Sequence, residues 1–307
     1  MKKRIIPFLV IVVVLMLSAC TSGNENTSGG SKKDQKNDTI TYQSENGPVQ
    51  VPAHPKRVVV LASYAGNVMS LGVNLVGVDS WSKMNPNFKD KLKGVEEVSE
   101  DNLEKIIALK PDLIIGLSTT KNLDKLKKIA PTVTFTYGKV DYLTQHIEIG
   151  KLLNKEKEAT DWVNDFKKRA DETGKQIKEK IGENATVSVI ENFDKQLYVF
   201  GNNWGRGTEI LYQQMGLKMP KKVEETALKP GYYAISPEVL PEFAGDYIIF
   251  SKNSDGDTSF QETNTYKNIP AVKNKHVFEV NAKAFYFNDP ITLDYQLKYF
   301  QNAFLGK

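Results

Sequence analysis

One stretch constrains this chain more than any other: Glu156 to Ile181, which reads EKEATDWVNDFKKRADETGKQIKEKI. It holds no proline, and its one glycine, Gly174, lies well inside. Trp162, Phe166, Ala170, Ile177 and Ile181, with Val163 beside them, recur close to every fourth position, while Lys, Asp and Glu fill the other face. An apolar stripe at a period of 3.6 residues predicts one amphipathic helix. About 24 helical residues would form a rod of roughly 36 Å, the width of a small domain. Strand and helix signals alternate on both sides of it, so the pattern predicts two α/β lobes joined by the rod. A long surface helix on a single domain is the alternative. Gly174 sits awkwardly in either, since a mid-helix glycine costs about 1 kcal/mol relative to alanine.

A chain of 307 residues is long enough for two domains. Its start carries a different message. Lys2, Lys3 and Arg4 precede the uncharged, mostly apolar run Ile5 to Leu17, followed by Ser18-Ala19-Cys20. A basic flank, a short apolar core and small residues make a secretory leader, too short for an ordinary membrane span. Leu17-Ser18-Ala19-Cys20 resembles the bacterial lipobox, which implies removal of residues 1–19 and acylation of Cys20, the single cysteine of the chain. An exported protein with one cysteine forms no internal disulfide, so packing must hold the fold. Residues 20–38, rich in Ser, Gly, Asn and Lys, lack the apolar surface needed for order and read as a flexible tether. The formal net charge of +4 falls to +1 without Lys2, Lys3 and Arg4. No nucleic-acid partner is implied by that balance.

The first lobe, residues 39–155, opens with a hairpin around Asn46-Gly47. Strands then follow at Val58–Ala62, Leu75–Val78, Leu113–Leu117 and Val133–Tyr137, with helices near Gly66–Leu71, Asn102–Leu109 and Leu123–Ile129. Apolar strands alternating with helices predict a largely parallel sheet. The second lobe, residues 182–307, repeats the scheme. Its strands are expected at Val187–Ile190, Leu197–Phe200, Tyr247–Phe250 and Val277–Val280, and its helices at Thr208–Met215, Pro237–Phe243 and Ile291–Phe304. An internal echo links the lobes. Asn102-Leu103-Glu104 runs on to Asp112-Leu113-Ile114-Ile115, and Ser236-Pro237-Glu238 runs on to Asp246-Tyr247-Ile248-Ile249. With Asn102 and Ser236 as N-caps, each glutamate would occupy the first turn of a helix, where the dipole alone favours a carboxylate.

Enzymatic signatures are missing: the chain has no G-x-S-x-G, no P-loop, no H-E-x-x-H and no G-x-G-x-x-G. His54, His146 and His276 stand far apart, so neither a protein-bound metal nor a cofactor is expected. Aromatic residues crowd the second lobe, several in segments that read as loops. Tyr198-Val199-Phe200-Gly201-Asn202-Asn203-Trp204-Gly205-Arg206-Gly207 places one tryptophan and one arginine in a glycine-rich turn after a strand. Phe285-Tyr286-Phe287 precedes Asn288-Asp289-Pro290 at the last helix. Taken singly, each of these aromatics could be core. Together, at strand ends, they outline a pocket.

At these residues the chain resembles the substrate-binding lipoproteins of ATP-driven iron-siderophore importers, a class that includes haem and cobalamin binders. Lys110-Pro111-Asp112-Leu113-Ile114-Ile115, Ala130-Pro131-Thr132 and Ala244-Gly245-Asp246-Tyr247-Ile248 match phrases of that class. Asn203-Trp204-Gly205-Arg206-Gly207, with Tyr198 before it and Asn288-Asp289-Pro290 after, is similar to the ferric-hydroxamate branch, which takes ferrichrome and ferrioxamine. The resemblance implies an α/β fold of two Rossmann-like lobes joined by one backbone helix, the class III periplasmic-binding-protein fold. It implies ligand contacts at Tyr198, Trp204, Arg206 and Tyr286, with Tyr64 facing them from the first lobe. Tyr286 stands where tryptophan is expected in near relatives. Glu104 and Glu238 would dock on a permease dimer served by its ATPase. The expected protein is a monomer, lipid-anchored through Cys20 on the outer face of a Gram-positive cell, and no enzyme.

Chemistry favours the same branch. Three hydroxamates cancel the charge of Fe³⁺, and the compact neutral complex suits aromatic walls plus one arginine reaching its chelating oxygens. A tris-catecholate keeps about three negative charges and calls for several converging cations. Another chelate (catecholate, citrate-type, haem or cobalamin) in the same fold is the nearest rival. A surface hydrolase or reductase acting on siderophores is the alternative from a different class.

Overall fold

The computed structural model describes residues 38–307; the leader, Cys20 and the tether up to residue 37 lie outside the described residues. A hairpin of β1 (Thr39–Ser44) and β2 (Gly47–Pro52) comes first. Ser44 pairs with Gly47, so Glu45 and Asn46 form the two-residue loop.

The first lobe is built on β3 (Val58–Val60), β4 (Leu75–Val78), β5 (Glu96–Glu97), β6 (Leu113–Leu117) and β7 (Thr132–Phe135). They lie in the order β5-β4-β3-β6-β7, all parallel. Both faces are covered. Val58, Val60, Ile115 and Phe135 join one core, while Val59, Leu61 and Ile114 join another on the opposite side with Ile106 and Leu126 from helices Leu103–Ala108 and Leu123–Ile129. Burial on two faces explains why these strands read as continuous apolar runs.

The second sheet comprises β8 (Val187–Phe193), β9 (Gln196–Phe200), β10 (Tyr232–Ile235), β11 (Tyr247–Lys252) and β12 (Val277–Asn281), ordered β10-β9-β8-β11-β12. β8, β11 and β12 are parallel, but β9 runs against both β8 and β10. The mixed edge and β10 itself were not anticipated. β10 is an edge strand in which only Ile235 is buried, so the periodic apolar signal is too weak to read. A helix at Tyr142–Leu152 was also not anticipated, and the expected helix at Pro237 starts only at Leu240.

The central helix runs from Glu156 to Ile181, as its pattern requires, and Gly182 at φ 101° ends it. Its buried line is Ala159, Val163, Phe166, Ala170, Thr173, Gly174 and Ile177, with Trp162 and Ile181 only half-covered. Ala159 belongs to the first lobe's core, whereas Val163, Phe166, Ala170 and Ile177 belong to the second's. The rod is thus mostly a helix of the second lobe whose first turn reaches the first. Gly150 makes the junction close: a Cβ there would stand 2.6 Å from that of Ala159.

A second crossing binds the lobes. Helix Pro290–Phe300 packs back on helix Ala65–Ser70, and a Cβ on Gly66 would stand 2.0 Å from Asp289 Oδ1. Asn85 Nδ2 donates to Thr292 Oγ1 at 3.3 Å and Asn87 Nδ2 to the Ala284 carbonyl at 2.9 Å. Elements tied at two places have little freedom for a wide hinge.

The sequence echo has a physical counterpart. Asp112 accepts the backbone N–H groups of Lys56 and Arg57 at 2.7 and 2.9 Å, just before β3. Asp246 accepts the backbone N–H and the hydroxyl of Thr186 at 2.8 and 2.9 Å, just before β8. In each lobe an aspartate at the start of one strand clamps the entry of its parallel neighbour.

Candidate functional site

In open α/β sheets the loops beyond the carboxyl ends of the strands make a crevice where the strand order reverses. In the first lobe that reversal lies between β3 and β6, and Leu61, Ala62, Ser63 and Leu117 stand just there. Asp79 and Trp81 follow β4, and Tyr137 follows β7. Facing them from the second lobe are Glu191 and Phe193 of β8, Tyr198 and Phe200 of β9, Trp204, Arg206, Tyr232, and the run Tyr286-Phe287-Asn288. They enclose a cavity of about 680 Å³, a volume suited to a ligand of several hundred daltons.

The aromatic walls are braced by each other and by glycine. Trp204 lies 5.2 Å from Tyr232 and, across the cleft, 5.9 Å from Tyr137. Trp81 meets Tyr286 in the same way at 5.5 Å. A Cβ on Gly231 would sit 1.9 Å from Trp204 Nε1, so only glycine lets the indole lie there. Gly205, Arg206 and Gly207 are left-handed in succession, at φ 69°, 60° and 84°. Glycine adopts such angles freely; for arginine they carry strain, held here by the Arg206 N–H bond to the Phe285 carbonyl at 2.7 Å.

That turn aims the guanidinium at a buried carboxylate. Arg206 Nε and Nη2 donate to Glu191 Oε2 and Oε1 at 3.1 and 2.9 Å, and Nη1 donates to the Trp204 carbonyl at 3.0 Å. The guanidinium carbon lies 4.8 Å from the Phe200 ring centre and 4.6 Å from that of Tyr286. Glu191 has no exposed surface and accepts a third bond from Ser251 Oγ at 2.6 Å. Of five guanidinium N–H groups, three are spent and two remain. A second buried carboxylate, Glu209, accepts from the Gly205 N–H and from Asn288 Nδ2, both at 2.9 Å, and so ties the glycine turn to the 286–288 run.

Partial burial pushes the hydroxyl of Tyr286 up to about 12, and that of Tyr137, whose ring is 44% exposed, shifts in the same direction. For Tyr286 the charge of Glu191 adds to the rise and that of Arg206 opposes it.

Of the residues expected at the ligand, Tyr198, Trp204, Arg206 and Tyr286 come together on the cavity wall. Tyr64 does not. It is buried in the first lobe's core, edge-on to Phe135 at 5.5 Å, its hydroxyl without a partner among the described residues. Tyr137 holds the facing place instead. The sequence pattern ran β7 through Tyr137, but the strand stops at Phe135, leaving Tyr137 beyond the strand end. The signal that marked the second lobe, an aromatic just past a strand, would also have found Tyr137 and Trp81. Glu191 escapes the sequence pattern because the expected strand ends at Ile190, whereas β8 continues through Glu191 and Asn192 to Phe193. The arginine read as solitary is paired.

Glu104 and Glu238 are both exposed and away from the cavity. Glu104 lies in the first helical turn; Glu238 lies in the turn before Leu240, and a hydrogen bond from Ser236 lowers its carboxyl below the ordinary value. Asn102 does not cap its helix with its side chain, which accepts from Ser99 Oγ. His146 is buried beside Trp162, at 5.4 Å, with Asn67 on its Nδ1 at 3.3 Å. Among the described residues no cluster of His, Cys, Asp and Glu could hold a metal ion.

Residues 58–284 match the model of a family described as periplasmic binding protein. The chain is 41% identical over 306 residues to the iron(3+)-hydroxamate-binding protein FhuD of Bacillus subtilis (strain 168), covering 97% of this chain and 96% of that protein. It is 38% identical to YxeB, an iron(3+)-hydroxamate-binding protein of the same organism, covering 97% and 95%. Among solved structures, FhuD2 from Staphylococcus aureus with bound ferrioxamine B superposes with a TM-score of 0.78 at 39% identity, covering 82% of this chain and 99% of that one. The FhuD protein from S. pseudintermedius gives 0.79 at 38%, covering 88% and 99%.

Proposed function

The chain belongs to the periplasmic binding protein family, and from that premise we propose that it captures Fe³⁺-hydroxamate siderophores of the ferrichrome and ferrioxamine type for an ABC importer. It is a binding protein and not an enzyme: the iron is cargo, held by the siderophore's own oxygens. The observation that carries this reading is the convergence, in one cavity, of aromatic faces from both lobes on a guanidinium with two unspent donors. Aromatic rings cover the apolar flanks of a compact neutral chelate, and the free N–H groups reach its negatively polarised oxygens. Tyr198, Trp204, Arg206 and Tyr286 are the contacts we assign, with Tyr137 in the place expected for Tyr64.

Two further parts of the reading rest on sequence pattern and family. Glu104 and Glu238, exposed on separate lobes, dock on the permease dimer that works with its ATPase. Cys20, acylated after loss of residues 1–19, anchors a monomer to the outer face of a Gram-positive membrane, and residues 20–38 supply the tether.

Two of the three tryptophans, Trp81 and Trp204, line the cavity, so quenching of intrinsic fluorescence reports loading. Ferrioxamine B and ferrichrome should quench saturably, while a ferric catecholate, ferric citrate and haem should not at comparable concentrations. Saturable binding of haem or a catecholate without response to either hydroxamate would overturn the assignment.

A further inference from the structure

We propose that Glu191 is a specificity-determining residue, a buried counter-charge that makes the cleft reject anionic iron chelates; the inference rests on the siderophore reading above. A carboxylate with no exposed surface inside a central strand is costly unless paired, and an apolar residue would pack there at less cost. Its position has two effects on the ligand side. The bidentate bond holds the guanidinium plane between Phe200 and Tyr286, leaving the two unspent N–H groups as oriented donors. It also cancels the arginine's charge. Asp79, Glu191 and Arg206 are the charged side chains on the described wall of the cavity, so its formal balance is one negative charge. A neutral or cationic tris-hydroxamate meets hydrogen-bond donors without net repulsion. A chelate of one to three negative charges meets an arginine whose attraction is already answered, inside low-dielectric aromatic walls that strengthen any repulsion.

Glu191 therefore acts through Arg206 as a positioning residue and on the ligand as a charge filter. The test measures affinities of wild type and Glu191→Gln for ferrioxamine B, ferric citrate and a ferric tris-catecholate at two salt concentrations. The isosteric amide should raise affinity for the anionic chelates by at least about tenfold, an increase that shrinks with added salt. Ferrioxamine B should lose affinity, because the guanidinium is less firmly held. Ser251→Ala, which removes one bond to Glu191 but no charge, should leave the anion-to-hydroxamate ratio at the wild-type value. An unchanged ratio in Glu191→Gln, or an equal shift in Ser251→Ala, would overturn the proposal and reduce Glu191 to a structural part. Should Glu191→Gln not fold, wild type alone decides. Hydroxamate binding with a tris-catecholate bound within about tenfold of it would overturn the filter while leaving the siderophore reading intact. Absence of hydroxamate binding would instead remove the reading beneath it.

Discussion

Gly174 of the central helix lies against Met215 so closely that a Cβ would stand 2.4 Å from the Met215 carbonyl oxygen and 2.6 Å from its Cα. The glycine that weakens the helix by propensity is what lets the end of segment Glu209–Gln214 pack on it.

Gly174→Ala tests which effect wins. Propensity alone gives alanine an advantage of about 1 kcal/mol. Overpacking against backbone atoms that cannot rotate away costs about 1–3 kcal/mol. The variant should therefore be less stable than wild type in urea denaturation. A gain in stability would show that the Met215 segment yields readily.

Asp289 and His146 give stability opposing dependences on pH. Burial raises the Asp289 carboxyl from 3.8 to about 6, although Ile291, Thr292 and the Thr292 hydroxyl bond to it. A folded value above the unfolded one means that its contribution is fully present below pH 3.8 and is lost as pH rises through 6. His146 runs the other way: burial lowers it from 6.5 to about 4, so its contribution is present above pH 6.5 and lost as pH falls through 4. Asp289→Asn keeps the cap and removes the titration. Its stability relative to wild type should rise between pH 4 and pH 6, by about 2 kcal/mol. Parallel stability curves for the two proteins over that range would refute the Asp289 term.

Arg206→Ala should act on two observables. Loss of charged hydrogen bonds to the ligand should weaken loading by about 1.5–3 kcal/mol in a fluorescence titration. Because Glu191 would be left buried and unpaired, thermal stability of the unloaded protein should also drop, by about 3–5 kcal/mol. Unaltered affinity would take Arg206 out of the ligand contacts, and unaltered stability would mean that Glu191 finds another partner.

Glu104 and Glu238 separate capture from delivery. Both are exposed and neither lines the cavity, so their joint change to alanine should leave siderophore affinity within about twofold while cutting uptake of iron-loaded siderophore by whole cells. Uptake at the wild-type rate would exclude the pair from docking.

Surface substitutions of this kind are the simplest to foresee, since their effect follows from charge and position along the chain. The same holds for the central helix. Its span, Glu156 to Ile181, follows from a periodic apolar stripe free of proline, because helical hydrogen bonds and amphipathic burial are local in sequence. The parallel strands were legible for a similar reason, being short apolar runs between turn residues, and so was the clustering of Tyr198, Trp204, Arg206 and Tyr286 near strand ends. Long-range packing decided the rest. Whether Tyr64 or Tyr137 faces the cleft depends on where β7 lets go of its neighbour and on which core absorbs a ring, and no local pattern carries that information. Pairing of Arg206 with Glu191 joins positions fifteen residues apart through a left-handed turn. The second crossing, Gly66 against Asp289, joins the two ends of the fold. Periodicity reports which side of an element is buried; only the assembled molecule determines what it is buried against.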